Sequence, residues 1–252
     1  MQTEFFIKRA SQQPAASPQV RPTLTRIRLW DLPIRIFHWS LVAAVLTAVI
    51  TGEIGGSWMG VHAKAGLTII GLVAFRLTWG VIGSTHARFL NFAPSPAKIQ
   101  AYLKGQWEGV GHNPLGAISV FALLGLLALQ AGTGVFSNDD IDFTGPLFTL
   151  VDKVLSNRLT GLHQLLSYFL FGLMAAHIVA IIFYVRFKND NLVKPMVTGW
   201  KEVPAGKSAA KGGWVALIVA ILIALAAVYV ASGAGLHEAP PAPHPVSTAP
   251  AW

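Results

Sequence analysis

Five long apolar runs alternate with polar segments along the chain. Each run has a length suited to crossing the roughly 30 Å hydrocarbon core of a bilayer as a helix. Apolar residues follow one another continuously within the runs, rather than at every second position, which favours helices over a β-barrel. The pattern therefore predicts an all-α fold, an integral membrane helical bundle. The runs are Ile36–Gly52, Val61–Gly83, Leu115–Phe136, Leu162–Arg186 and Trp214–Ser232.

The composition agrees with a membrane protein and the charge pattern orients it. Of 252 residues, 53% are apolar and 12% are charged, and the mean hydropathy is +0.54. Six Lys and Arg residues precede the first run, three separate the second and third runs, and six occur from Arg186 to Lys211, both included. The alternate connections carry none, two and none. The positive-inside rule then predicts a cytoplasmic N-terminus and a periplasmic C-terminus in a bacterial inner membrane. Because the net charge of +8 follows the topology and forms no stripe, we expect no nucleic-acid partner.

Two histidines on the fourth run suggest two buried sites. His163 and His177 are fourteen residues apart, so they share a helix face at depths differing by about 21 Å. The predicted topology places His62 near the outer face with His163, and His38 near the inner face with His177. Ionisable residues inside a membrane need partners, and two bis-histidine haems would supply them. The sequence has no cysteine, which excludes iron–sulfur clusters and covalent c-type haem, so any haem is b-type and non-covalent.

Two alternatives remain for the histidines and two for Arg76. The histidines could be hydrogen-bonded within the bundle, or they could line a nickel or zinc permease, although the spans carry no Asp or Glu near them. Arg76 could extend to the headgroups, or it could bind the cofactor by pairing with a haem propionate.

The connecting segments supply further expectations. Asp31 is expected to cap the first helix. His86 and His112 are expected to be solvated in the loop between the second and third runs. The loop Ser137 to Gly161 is either a solvated connection or a docking face for a basic periplasmic partner. The fifth helix, which has no ionisable residue, is expected to be peripheral.

Several motifs resemble the bacterial cytochrome b561 family, which includes the di-haem cytochrome b subunits of nickel–iron hydrogenases. The resemblance spans Arg26 to Lys201 and implies two b haems and electron exchange with the quinone pool. The motifs are Arg28-Leu-Trp-Asp-Leu-Pro-Ile-Arg-Ile-Phe-His-Trp39, His62, Phe75-Arg-Leu-Thr-Trp-Gly80, His112-Asn-Pro-Leu-Gly-Ala117, and His163 with His177.

These observations predict a di-haem b-type cytochrome of the respiratory chain. His38 and His177 would ligate the inner haem iron, and His62 and His163 the outer one. The protein would carry electrons between quinone and a periplasmic hydrogenase, c-type cytochrome or flavoprotein, and the sequence leaves a homodimer open. An alternative within the family is a superoxide:quinone oxidoreductase, which would need a cationic funnel built from Lys64, Lys153 and Arg158.

We expect a four-helix haem-binding core with a fifth transmembrane helix added at the C-terminal side. The predicted organisation is a disordered cytoplasmic tail (1–25), the di-haem domain (26–201), a linker (202–212), the fifth helix (213–233) and a Pro-rich periplasmic tail (234–252).

Overall fold

A computed structural model describes residues 24–204 and 208–236 of the chain. The predictions for most of the N-terminal tail and of the Pro-rich tail lie outside these residues. Within them the elements are, in order, β1 (Thr25–Arg28), α1 (Leu32–Ile54), α2 (Met59–Ile82), α3 (Phe89–Phe92), α4 (Pro96–Leu103), α5 (Pro114–Gly134), α6 (Lys153–Phe187), α7 (Val193–Thr198), β2 (Trp200–Val203) and α8 (Trp214–Ala231).

The predicted helical membrane bundle is confirmed. In the described residues, five helices are long and apolar enough to cross a membrane, namely α1, α2, α5, α6 and α8. The fourth span begins at Lys153, nine residues before the apolar run, because Asp152 caps it. The Asp152 carboxylate accepts a 2.8 Å hydrogen bond from the Leu155 amide, so the polar first turns are helical as well.

Asp31 joins the start of α1 to the end of α2. Its Oδ1 accepts a 3.0 Å hydrogen bond from the Ile34 amide, which confirms the predicted N-cap. Its Oδ2 accepts a 3.0 Å bond from Nε1 of Trp79, a side chain that is only 1% exposed. One carboxylate therefore satisfies a helix terminus and a buried indole together.

Four helices contribute interior residues at intervals of seven. The middle of the bundle is an apolar layer in which four side chains, one from each helix, are buried in one cluster. Seven residues is nearly two helical turns, or about 10.5 Å. The residues seven positions before and after each middle-layer residue therefore form a second and a third layer on either side of it. The middle layer consists of Val45, Ile69, Leu127 and Leu170. One outer layer contains His38, Arg76 and His177, and the other contains Gly52, His62, Gly134 and His163.

The two ends of the bundle differ in structure. At one end, β1 and β2 form an antiparallel pair with Arg28 opposite Trp200, and we call this the sheet end. Arg26 and Arg28 lie over the Trp200 ring at 4.8 and 5.1 Å from its centroid. Thr25 and Val203 belong to these strands, so the ordered unit extends slightly beyond the predicted domain limits. The opposite end carries the connection between α5 and α6, and we call it the loop end.

Helix α8 packs along α2. A Cβ atom on Gly71 would lie only 2.7 Å from Cγ2 of Val228, so this glycine sets the close approach of the two helices. Ala220 and Ala231 are the buried residues of α8, and its other side chains are partly or fully exposed. The fifth span therefore covers α2 from outside.

Replacing Asp31 by alanine should lower the free energy of unfolding by about 1–3 kcal/mol, because it removes a helix cap and leaves the Trp79 N–H unpaired. Denaturant unfolding in detergent measures the change. Asp31→Asn, which keeps an acceptor oxygen for the cap, should lose less. Equal stability of Asp31→Ala and the parent protein would contradict the assigned role.

Candidate functional site

The loop end of the bundle contains a cavity with two histidines. The ring centroids of His62 on α2 and His163 on α6 are 6.0 Å apart, and the ring planes meet at 86°. The cavity beside them has a volume of about 450 Å³, within the range of sites that bind small molecules and cofactors. Small and apolar residues contribute much of its wall, including Gly52, Gly66, Ala131, Gly134, Leu170 and Phe171.

Each of these two rings is held by a carbonyl group of a neighbouring helix. Nδ1 of His62 lies 2.8 Å from the carbonyl oxygen of Ala48 on α1, and Nδ1 of His163 lies 2.8 Å from that of Gln130 on α5. A carbonyl oxygen can only accept, so each Nδ1 carries the proton and each Nε2 keeps its lone pair. Histidines that bind metals characteristically donate their other ring N–H in this way.

The geometry of the pair fits one metal centre. An imidazole nitrogen binds a transition metal at about 2 Å, so one metal ion between two rings would separate their centroids by roughly 6 Å. In the described residues, no group of three or more His, Cys, Asp or Glu side chains is placed to hold a metal ion. Two histidine ligands without further protein ligands suit a haem, whose macrocycle supplies the other four nitrogens.

Gln130 contributes a polar side chain that sequence reasoning missed. Its Nε2 lies 3.2 Å from Nε2 of His163, and its Oε1 is buried without a hydrogen-bond partner. A buried, unpaired acceptor is uncommon in folded proteins. The third span thus carries no histidine, yet its backbone and side chain both contact His163.

The sheet end contains the other two histidines and Arg76. His38 and His177 both belong to the sheet-end layer, and Nδ1 of His38 is buried without a hydrogen-bond partner. Arg76 is 4% exposed, so its side chain is enclosed within the protein. It lies over the Phe89 ring at 4.5 Å, and its Nη1 is also buried without a partner. Nδ1 of His38 and Nη1 of Arg76 are therefore available to donate hydrogen bonds to an anionic group.

His112 is half-buried and held between aromatic rings, so the expectation that it is solvated is wrong. Its ring lies between Trp30, at 4.7 Å, and Phe92, at 4.5 Å, and its Nδ1 is buried. The physical reason is α3, whose Phe92 also packs against Phe121 of α5 and draws the polar loop back over the sheet end. Burial, reinforced by the charges of Arg76, His177 and His86, lowers the pKa of His112 to about 3.

Most of the acidic loop has local structural roles. The Asp139 carboxylate accepts hydrogen bonds from the amides of Ile141, Asp142 and Phe143 at 2.9–3.0 Å, which lower its pKa. Asp140 pairs with Lys153, and Asp152 caps α6. A docking role for this loop stays a prediction.

Comparisons with known proteins agree on one family. Residues 29–199 match the model of a family described as prokaryotic cytochrome b561. The chain is similar to the probable Ni/Fe-hydrogenase 1 B-type cytochrome subunit of Escherichia coli (strain K12), with 20% identity over 71% of this chain and 92% of that protein. It is 24% identical to the probable Ni/Fe-hydrogenase B-type cytochrome subunit of Azotobacter vinelandii, over 70% of this chain and 89% of that protein. No solved structure matches the chain.

His112 should make the protein sensitive to acid. Since its folded-state pKa of about 3 lies below the usual value of about 6.5, the unfolded chain binds an extra proton between these pH values. The free energy of unfolding should therefore fall as pH drops through this window, by up to about 1.4 kcal/mol per unit. His112→Phe, which suits the aromatic surroundings, should flatten this slope in unfolding measured against pH.

Above about pH 6.5 both proteins have an uncharged side chain at this position, and their stability curves should run parallel. That region is the internal control. Identical slopes of the two proteins below pH 6.5 would contradict the assignment.

Proposed function

The chain belongs to the prokaryotic cytochrome b561 family, and on this premise we propose that it is a di-haem membrane cytochrome that carries electrons between the quinone pool and a periplasmic redox partner. As a b-type cytochrome it uses haem b, and it is a helical membrane protein. The number of haems, their ligands and both redox partners are parts of the proposal.

The observation that carries the proposal is the paired arrangement of His62 and His163. Both rings hold their Nδ1 against a carbonyl oxygen and line one cavity, at a centroid separation that one iron can span. In this proposal His62 and His163 would hold the loop-end haem. The haem would supply reversible one-electron transfer, and the apolar wall would exclude water from it.

A second haem is proposed at the sheet end. The middle layer of Val45, Ile69 and Leu170 separates His38 and His177 from the loop-end site. On α6, His177 is fourteen residues from His163. Arg76 supports this placement because it is buried with an unpaired Nη1. We propose that it pairs with a propionate group of this haem, since carboxylates are the natural partners of guanidinium.

The two ends of the bundle face different compartments in this proposal. The sheet end collects most of the Lys and Arg residues, so it faces the cytoplasm, and the loop end faces the periplasm. The similar proteins are named as hydrogenase cytochrome subunits, so we propose a hydrogenase as the partner at the loop end. Electrons would then enter at the loop-end haem and leave to quinone.

The two alternative functions find less support. A metal permease requires further ligands beside the histidine pairs, and the described residues contain no cluster of three or more such side chains. A superoxide oxidase would need a cationic approach to the loop-end site. Glu53, Asp139 and Asp140 line that cavity instead.

Purified protein should contain two b haems per chain by pyridine haemochrome assay and by reduced-minus-oxidised spectra. His62→Ala and His163→Ala should each remove one haem, and His38→Ala and His177→Ala the other, because a lost axial ligand leaves a buried site incomplete. A quinol added to the oxidised protein should reduce the haems that remain.

His86→Ala is the matched control, since this residue lies outside both pairs, and it should keep both haems. One haem in the parent protein, or a haem loss that does not follow the two pairs, would count against the proposal.

Arg76→Leu should lower the midpoint potential of the sheet-end haem, because a nearby positive charge favours the reduced iron. A unit charge at about 10 Å in a medium of effective dielectric about 20 contributes roughly 1.7 kcal/mol, or about 70 mV for one electron. We therefore expect a fall of tens of millivolts in a redox titration. Arg186→Leu, an exposed arginine at the same end, should shift neither haem. A shift confined to the loop-end haem would refute the propionate pairing.

A further inference from the structure

The two histidines at the loop end are supported in the same way by two different helices. His62 on α2 is held by α1, and His163 on α6 is held by α5, so each histidine is held by the span that precedes its own. The two supporting segments have related sequences, Ala48-Val-Ile-Thr-Gly52 and Gln130-Ala-Gly-Thr-Gly134. In each, the first residue supplies the carbonyl acceptor, and a Thr-Gly pair follows three and four residues later.

The threonine of each pair bonds back to the helix carbonyls. Oγ1 of Thr51 donates to the carbonyl oxygen of Thr47 at 2.6 Å and lies 3.3 Å from that of Ala48. Oγ1 of Thr133 lies 2.9 Å from the carbonyl oxygen of Leu129 and 3.0 Å from that of Gln130. Such bonds tilt carbonyl groups and bend helices locally. Both threonines are buried, at 4% and 7% exposure, so these hydroxyl groups act inside the bundle.

The glycine of each pair makes room for the imidazole ring. A Cβ atom on Gly134 would lie 2.9 Å from Cε1 of His163, closer than real Cβ contacts occur. A Cβ atom on Gly52 would lie 3.0 Å from Nδ1 of His62, which is at the limit of what neighbours tolerate. A side chain at Gly134 would force the His163 ring to shift, and one at Gly52 would require a smaller shift of the His62 ring.

We propose that Thr51-Gly52 and Thr133-Gly134 are paired positioning elements that fix the tautomer and the ring plane of the two loop-end histidines. The loop-end site is then built from two copies of one device, each consisting of a Thr-Gly helix segment and the histidine of the next span. This inference rests on the proposed function, because it takes these histidines as haem ligands.

The device affects the iron through the imidazole. A carbonyl oxygen that accepts a hydrogen bond from Nδ1–H raises the basicity of Nε2, which would stabilise ferric iron and lower the potential of that haem. It also holds the two ring planes close to perpendicular, at 86°. The angle between axial imidazole planes is reported by the electron paramagnetic resonance spectrum of low-spin ferric haem.

The test compares Gly134→Ala with Gly132→Ala in the purified cytochrome. Gly132 is the matched control, because it lies on the same helix and a Cβ atom there meets nothing within 4 Å. Gly134→Ala should weaken retention of the loop-end haem by about tenfold or more, as expected when an outer support of a metal ligand is lost. In the fraction that keeps this haem, the potential should rise and the resonance signal should change. Gly132→Ala should match the parent protein in all three measurements.

A second series covers the case in which Gly134→Ala does not fold. Thr133→Val removes the hydroxyl at nearly constant volume, and Thr133→Ser retains it. We expect a shifted loop-end potential in Thr133→Val, because the hydroxyl lies 3.0 Å from the carbonyl oxygen that accepts from His163 and 3.3 Å from Nδ1 of His163 itself, and recovery of the parent value in Thr133→Ser. The sheet-end haem serves as an internal reporter, since its spectrum should persist in every variant with an intact bundle. Gly52→Ala should show a smaller effect than Gly134→Ala.

The outcomes separate this inference from the function on which it rests. If His62→Ala and His163→Ala both retain the full haem content, the ligand assignment fails. If they each lose one haem while Gly134→Ala and Thr133→Val behave like Gly132→Ala, the function stands and the positioning role is refuted. A change confined to the sheet-end haem would also refute it.

Discussion

An imidazole inside an apolar bundle carries one N–H group that costs free energy unless it meets an acceptor. At the loop end, this requirement is met by backbone carbonyl groups of Ala48 and Gln130, each on a helix next to the histidine it serves. Once Nδ1 of each ring donates to its carbonyl, Nε2 is the nitrogen left to act as an acceptor or a ligand, and Nε2 of His163 lies 3.2 Å from the amide nitrogen of Gln130. The glycines that admit the rings and the separation of the rings follow from this single constraint.

Because interior residues recur every seven positions, the polar residues of four helices lie in common layers. His38, Val45 and Gly52 occupy successive layers on α1, and His163, Leu170 and His177 do the same on α6. Such an interval keeps a residue on nearly the same helix face, with only a small angular drift. The bundle can therefore offer two polar sites separated by an apolar layer without any break in its helices.

The apolar runs were sufficient to predict the five spans, an Asp before the first run predicted the cap at Asp31, and the histidine spacing predicted that His62 and His163 lie close together. They could not predict the supports of these histidines, because a backbone carbonyl has no signature in the sequence. The two Thr-Gly pairs are visible in the sequence, but their relation to the histidines is recognised only once the ring contacts are known. The partial burial of His112 was missed for a related reason, since it depends on the packing of Phe92 against a distant helix.

The middle layer gives the proposed electron path a particular electrical character. Val45, Ile69, Leu127 and Leu170 contain no group that could pass a proton between the two histidine layers. An electron crossing this layer would therefore move alone through the low-dielectric part of the membrane, over about 21 Å of a core roughly 30 Å thick. Moving one charge across the whole membrane takes about 2.3 kcal/mol per 100 mV of membrane potential. A transfer over about two thirds of the core would therefore take about two thirds of that electrical work. In this scheme the membrane potential itself would act on the distribution of electrons between the two ends of the protein.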